Sequence, residues 1–149
     1  MSIVMTAAGE ALTARLQSEG KPLIIDTFVF ANVPGLDPSE SLTPGITVPT
    51  GHVVYEYPIP EEYRAYVNPN QVVYSALLGS DIGDWSFNWQ GLYCSEYETL
   101  IAAASFPTLE KRKYSSATGA AGNNLTRNFL IEFSGARELT GITISAEVW

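Results

Sequence analysis

Residues 68–93, NPNQVVYSALLGSDIGDWSFNWQGLY, carry the pattern that decides the fold. Residues 71–78 are β-branched and apolar on both sides, which is typical of a strand covered on both faces. The segment that follows is rich in glycine and aspartate: Gly79, Asp81, Gly83 and Asp84. Because glycine adopts a positive φ without strain and aspartate hydrogen-bonds its own backbone, this segment predicts a corner between two strands.

The strand after the corner, residues 85–93, alternates between large apolar and polar side chains. A period of two is the signature of a half-buried strand. One face is predicted to carry Trp85, Phe87, Trp89 and Tyr93, and the other to carry Ser86, Asn88 and Gln90. We expect the aromatic face to be mainly core, and the alternative is that it forms a docking surface.

The composition indicates a globular chain that forms one domain over residues 1–149. Hydrophobic residues make up 46% and charged residues 16%, and a chain of 149 residues is long enough to bury about two-thirds of its unfolded surface. The net charge of −8 argues against nucleic acid and anionic membranes as partners, because both require a basic face. No apolar run approaches the ~20 residues needed for membrane insertion.

The N-terminus and the cysteine content predict synthesis and folding in a reducing cytoplasm. The first 15 residues lack the basic region and apolar core of a signal peptide. The single Cys94 has no internal disulfide partner and is predicted to be a small buried apolar residue.

A short amphipathic helix is predicted near the N-terminus. Thr6 is the predicted N-cap and Gly20 the predicted C-terminal stop. Ala8, Leu12 and Leu16 recur at helical spacing and form its apolar stripe. A helix this short depends on tertiary packing, so we expect it to lie against a sheet.

The rest of the chain predicts six or seven antiparallel strands. Their expected positions are residues 23–31, 52–57, 71–78, 85–93, 100–107, 125–133 and 142–148, while residues 61–68 fit either a helical turn or a loop. The predicted class is therefore α+β, with one N-terminal helix packed on a mainly antiparallel β-sheet or a small β-sandwich.

Asp26 interrupts the first predicted strand. It is expected to be a hydrogen-bonded rim residue or, alternatively, a metal-binding or catalytic carboxylate.

Two long segments predict mobile, partner-facing loops. Residues 32–50 contain four prolines and two glycines, and residues 115–124 consist mainly of small polar residues, glycine and alanine. Loops on a rigid scaffold often carry recognition. The candidate partner-facing residues are Pro34, Leu36, Asp37, Thr43, Ile46, Thr118 and Asn123. The basic cluster of Lys111, Arg112 and Lys113 is predicted to be a solvated loop.

The sequence contains no motif for catalysis, for a metal or for another cofactor, so we expect no enzyme activity. His52 is the only histidine, and no nucleophile elbow, P-loop or metal-ligand spacing is present. Asp81 and Asp84 are predicted to build the corner. A carbohydrate-binding module remains an alternative, because Trp85, Trp89, Tyr55 and Tyr57 suit stacking on sugar rings.

The ordered series of segments resembles the N-terminal domain of tail-collar fibre proteins from contractile-tailed phages and prophages. The resemblance covers nearly the whole chain. Besides residues 68–93, it rests on TAAGEALTARL (6–16), LIIDTFVFANVPGLDPS (23–39), LIAAASFPTLEKRK (100–113), GNNLTRNFLIEFSGA (122–136) and TGITI (140–144).

The resemblance implies a structural role at the proximal end of a tail fibre. Such a domain attaches the fibre to a phage tail or baseplate protein and thereby supports host adsorption, while receptor binding belongs to the distal end. Members usually continue into a longer homotrimeric shaft, so the sequence is expected to be the N-terminal part of a fibre in the virion tail. The family supplies no catalytic residues.

Overall fold

A computed structural model describes residues 2–149. Within these residues the chain forms two α-helices and eight β-strands. In chain order they are β1 (Ser2–Met5), α1 (Ala7–Glu19), β2 (Thr27–Ala31), β3 (Val53–Pro58), β4 (Arg64–Asn68), β5 (Gln71–Leu78), β6 (Trp85–Cys94), β7 (Thr99–Lys111), β8 (Leu125–Glu132) and α2 (Ala136–Thr140).

The strands form two antiparallel sheets, which confirms the predicted α+β class. The larger sheet has the order β1-β7-β6-β2-β3 and the smaller has the order β4-β5-β8. The strand predicted at residues 71–78 is β5 with the same bounds. Because β5 and β6 belong to different sheets, the glycine- and aspartate-rich corner carries the chain from one sheet to the other.

The main core lies between the two sheets and beneath α1. The larger sheet contributes Phe28, Phe30, Phe87 and Leu92, the smaller contributes Val72, Tyr74, Phe129 and Ile131, and the helix contributes Leu12 and Leu16. The Phe87 ring packs edge-on against Phe30 and Phe106, with centroid separations of 5.4 and 5.5 Å. Burial on this scale is the main stabilising contribution to the fold.

A second core covers the outer face of the larger sheet. It contains Val29, Ala31, Trp89, Leu100 and Ala103. Residues 32–50, which we call the strap, place Val33, Leu36, Leu42, Ile46 and Val48 against it. The strap has no hydrophobic periodicity, yet its apolar side chains still reach one sheet face, so it packs on the second core instead of projecting freely.

The prediction that Trp85, Phe87 and Trp89 share one face is also wrong. The pairing of β6 with β7 shifts register between Phe87 and Trp89. Phe87 lies in the main core and Trp89 in the second core, on the opposite face of the sheet. Both are buried, at 0% and 1% exposure, so the prediction that these two rings are core is confirmed. An irregularity of this kind reverses the side-chain alternation that a regular strand would keep.

Helix α1 follows the predicted signals at both ends. The Thr6 hydroxyl accepts a hydrogen bond from the Gly9 N–H at 2.8 Å, and Gly20 ends the helix in the left-handed conformation with φ of 67°. The buried stripe differs from the prediction, because it consists of Gly9, Leu12, Thr13 and Leu16. Ala8 is exposed.

Glycine at position 9 allows α1 to lie directly on β7. A Cβ atom built there would be 2.6 Å from the Ile101 carbonyl oxygen.

The chain departs from the predicted elements near both ends. Strand β1 was not predicted, residues 134–141 include α2, and the strand predicted at residues 142–148 is a single bridge between Tyr66 and Ser145 followed by the 3₁₀ helix Ala146–Val148. Residues 61–68 form the 3₁₀ helix Glu61–Tyr63 and β4. Among residues 2–149, no helix combines the length and apolar character that crossing a membrane requires.

Asp26 and Cys94 take the structural roles expected of them. The Asp26 carboxylate accepts a hydrogen bond from the Ser95 N–H at 3.1 Å, which confirms the rim position. Cys94 is buried.

Alkaline pH is expected to destabilise the fold. Burial raises the pKa of the Tyr74 phenol and of the Cys94 thiol above their ordinary values of 10.0 and 9.0. Both groups therefore lose their protons more readily in the unfolded chain than in the folded one. Their contribution to stability is complete below the unfolded-state pKa and is lost as pH rises through the folded-state pKa. Burial lowers the pKa of the Lys111 ammonium group, so the contribution of this one group to stability increases as pH rises.

We expect the free energy of unfolding, measured by urea denaturation, to fall as pH rises above about 9. Tyr74→Phe keeps the ring and removes the ionisable hydroxyl, so its decline above about pH 10 should be shallower. An identical decline in the two proteins would contradict the assignment to Tyr74.

Candidate functional site

The strap is tied down where it leaves β2 and where it reaches β1. The Asn88 side chain pairs with the Val33 backbone, accepting from its N–H and donating to its carbonyl, both at 2.9 Å. The Leu42 N–H donates to the Ser2 hydroxyl at 2.9 Å. The strap therefore crosses the outer face of the sheet from β6 to β1.

Two further backbone hydrogen bonds hold the strap, one at Pro44 and one where the two ends of the strap meet. The Ala7 N–H at the start of α1 donates to the Pro44 carbonyl at 2.7 Å. The Asn32 N–H donates to the His52 carbonyl at 3.0 Å, which brings both ends of the strap together next to β3. The strap is an anchored surface rather than a free loop.

The candidate residues of the strap divide into anchors and exposed positions. Leu36 and Ile46 are half-buried against the second core. Pro34, Asp37 and Thr43 are exposed. Asp37 accepts hydrogen bonds from the Ser39 hydroxyl at 2.7 Å and N–H at 2.9 Å, and these bonds lower the pKa of its carboxyl group.

The two candidate residues of the loop at residues 115–124 also differ, because one is exposed and the other is held by hydrogen bonds within the protein. Thr118 is exposed. The Asn123 side chain donates to the Glu110 carbonyl at 2.9 Å and accepts from the Arg112 N–H at 2.7 Å. Asn123 is thus engaged inside the protein, which leaves Thr118 as the candidate for partner contact in this loop.

The aromatic residues considered for glycan stacking pack against other parts of the protein. The Trp85 ring stacks between Tyr55 and Phe30, at centroid distances of 5.5 and 6.0 Å. Trp89 is only 1% exposed, and Tyr57 packs against the main core. A sugar needs an open ring face, so this arrangement does not favour the carbohydrate-binding alternative.

The basic cluster of Lys111, Arg112 and Lys113 at the end of β7 is not the solvated loop that was predicted. Arg112 and Lys113 are exposed, but Lys111 is buried at 0% exposure. One sequence signal was available: Leu109 and Lys111 have the same parity in β7, and Leu109 packs against the main core. The alternation therefore extends past Pro107 and directs Lys111 inward.

Asp84 at the corner contacts the backbone of a distant residue and not, as predicted, its own. Its carboxylate accepts a hydrogen bond from the Lys113 N–H at 2.7 Å. Asp81 is exposed at the same corner. Among residues 2–149, no group of three or more His, Cys, Asp or Glu side chains is placed to hold a metal ion.

One groove lies between the C-terminal end of α1 and α2. It has a volume of about 560 Å³ and contains one carboxylate, Glu138, and one ammonium group, Lys21. Glycosidases use a pair of carboxylates at a set separation. This groove does not contain such a pair.

The strap and the loop at residues 115–124 are thus the candidate contact surfaces. A model of the family described as "Phage tail-collar fibre protein, N-terminal" matches residues 1–148. This chain belongs to that family. The resemblance seen in the sequence is confirmed, and the chain is a structural domain of the phage tail-collar fibre type.

A relative supports the same family membership. The chain is 39% identical over 125 residues to a "Probable tail fiber protein" of Haemophilus phage HP1 (strain HP1c1). The match covers 83% of this chain and 13% of the relative, so the chain spans only a small part of the length of that protein. No solved structure matches the chain.

Proposed function

We propose that this tail-collar fibre domain attaches a fibre to the tail or baseplate of a phage particle. The observation that carries the proposal is the family match over residues 1–148. The description of that family names the N-terminal part of a phage tail-collar fibre protein. Attachment at this end supports host adsorption, and receptor binding is carried by other parts of the fibre. The domain has no enzymatic role, in keeping with the absence of catalytic motifs from the sequence.

We further propose that the domain acts in three copies in the assembled fibre, after synthesis in the host cytoplasm. When several copies of the domain bind the same particle, the overall affinity of the fibre for the tail exceeds that of one copy, so each single contact can be weak. The exposed turns of the strap and the tip of the loop at residues 115–121 are the surfaces we assign to the tail or baseplate protein.

Three threonine positions give a matched test of these surfaces. Thr43 lies in the strap, Thr118 in the loop after β7, and Thr126 on the outer face of the smaller sheet, and all three are exposed. Changing an exposed threonine to arginine should leave the free energy of unfolding within about 0.5 kcal/mol of its starting value. In an interface, the same change introduces a bulky unpaired charge.

We expect Thr43→Arg and Thr118→Arg, each in the full-length fibre, to weaken fibre binding about tenfold, the result of a loss near 1.4 kcal/mol, and thereby to lower the fibre occupancy of particles. Thr126→Arg should leave occupancy unchanged. Occupancy is counted by electron microscopy of purified particles. If Thr126→Arg impaired occupancy as much as the other two, the assigned surfaces would be incorrect.

A further inference from the structure

The ammonium group of Lys111 is surrounded by oxygen atoms at the end of β7. Its Nζ atom donates to the carbonyl oxygens of Ile82 at 2.6 Å, Arg112 at 2.7 Å and Asn123 at 2.8 Å. The Asn123 side-chain oxygen lies at 3.1 Å. An ammonium group has three protons, so the three carbonyls use its donors fully and the amide oxygen shares one.

These oxygens come from segments that are distant in the sequence. Ile82 belongs to the corner between the sheets, Arg112 directly follows Lys111, and Asn123 lies near the end of the loop of residues 115–124. Oxygen dipoles that point at one site repel each other unless a cation lies between them. In the described part of the chain no carboxylate forms an ion pair with Lys111, and Asp81 and Asp84 act on it only at longer range.

The backbone around this site is packed too closely for side chains. A Cβ atom on Gly83 would lie 2.5 Å from the Lys113 nitrogen, and one on Gly122 would lie 2.7 Å from the Tyr114 nitrogen. The Tyr114 N–H also donates to the Ser80 carbonyl at 2.7 Å. The corner and both ends of the loop thus meet at the Lys111 ammonium group.

We propose that this cluster of oxygens is a monovalent-cation site that the chain fills with its own Lys111 ammonium group, and that the filled site holds the loop at residues 115–121 rigid. Backbone carbonyl oxygens are the ligands that replace the hydration shell of monovalent cations in proteins. The role of the loop as a contact surface rests on the proposed function, whereas the cation site does not.

Removal of the charge should destabilise the domain and loosen the loop. Lys111→Met keeps most of the side-chain length and leaves three carbonyls without a donor. We expect the equilibrium constant for unfolding to rise about 100-fold, the effect of losing hydrogen bonds from a buried charged group. Amide exchange of residues 115–121 should quicken, and the exposed neighbour Lys113→Met should change either quantity less than about threefold.

Chemical rescue separates charge from packing. Lys111→Ala leaves room for an added amine, so propylammonium should restore much of the lost stability and slow loop exchange. The uncharged 1-propanol, at the same concentration and in the same salt, should not. Equal rescue by both compounds, or an effect of Lys111→Met no larger than that of Lys113→Met, would overturn the proposal.

A measurement on the unaltered chain covers the case in which the variants do not fold. The Lys111 ammonium group should give a ¹⁵N resonance protected from exchange with water at neutral pH, while that of Lys113 is lost to exchange. Absence of a protected lysine signal would also overturn the proposal. These measurements need no phage particle, so their failure is distinct from failure of the domain to attach a fibre.

Discussion

Trp89→Ala is expected to lower the free energy of unfolding by about 3–5 kcal/mol, the range seen when a buried tryptophan or phenylalanine is cut back to alanine. Trp89 is 1% exposed and lies between Val29, Leu100 and the strap. Its removal leaves a cavity in the second core, against which the apolar side chains of the strap pack. The strap should therefore show faster amide exchange in addition to the global loss of stability.

Trp149→Ala is the matched control, because it removes the same side chain from a position that is 47% exposed. Trp149 donates a hydrogen bond from its indole N–H to the Glu62 carbonyl at 3.2 Å, so we expect a loss of only about 1 kcal/mol. Denaturation midpoints measured in urea compare the two variants directly. Equal midpoints would show that Trp89 is not a core residue and would restore the glycan-stacking alternative.

Deletion of residues 1–149 from the full-length fibre is expected to produce particles without fibres. The domain contains its own helix caps and two cores, so the remaining shaft should still fold, assemble and bind its receptor. Without the domain it should fail to join the tail, and particles should adsorb poorly. Electron microscopy of the particles, an adsorption assay and a receptor-binding assay on the purified shaft measure the three properties separately.

Competition by the isolated domain gives the control for this deletion. Added in excess during assembly, residues 1–149 should occupy the attachment sites and reduce the number of intact fibres per particle. The Thr43→Arg domain should compete less well than the Thr126→Arg domain. Normal fibre occupancy after the deletion would place attachment elsewhere in the fibre.

Local sequence signals were sufficient for elements whose stabilising contacts lie within a few residues. Thr6 bonds the Gly9 N–H and Gly20 adopts the left-handed conformation that ends α1, so both ends of the helix are encoded beside it. Strand β5 has the predicted bounds because its apolar run is long and turn residues flank it. The family resemblance likewise depends on the order of such local segments, and the family match confirms it.

The tertiary structure alone decided on which face of the sheet Phe87 and Trp89 lie and which loop is anchored. Trp89 lies opposite to Phe87 because the register with β7 shifts between them, and that shift depends on the partner strand as much as on β6. The strap is anchored by Asn88 and Ser2, which are distant from it in sequence.

Lys111 shows the difference between features that neighbouring residues encode and features that depend on residues distant in the sequence. The sequence by itself determined the two ends of α1, the bounds of β5 and the family, because neighbouring residues encode them. Burial of the Lys111 ammonium group depends on carbonyl oxygens from residues 82, 112 and 123, which only the folded chain brings to one point. A lysine in a basic run is normally solvated, since burial of a charge is unfavourable until such partners surround it.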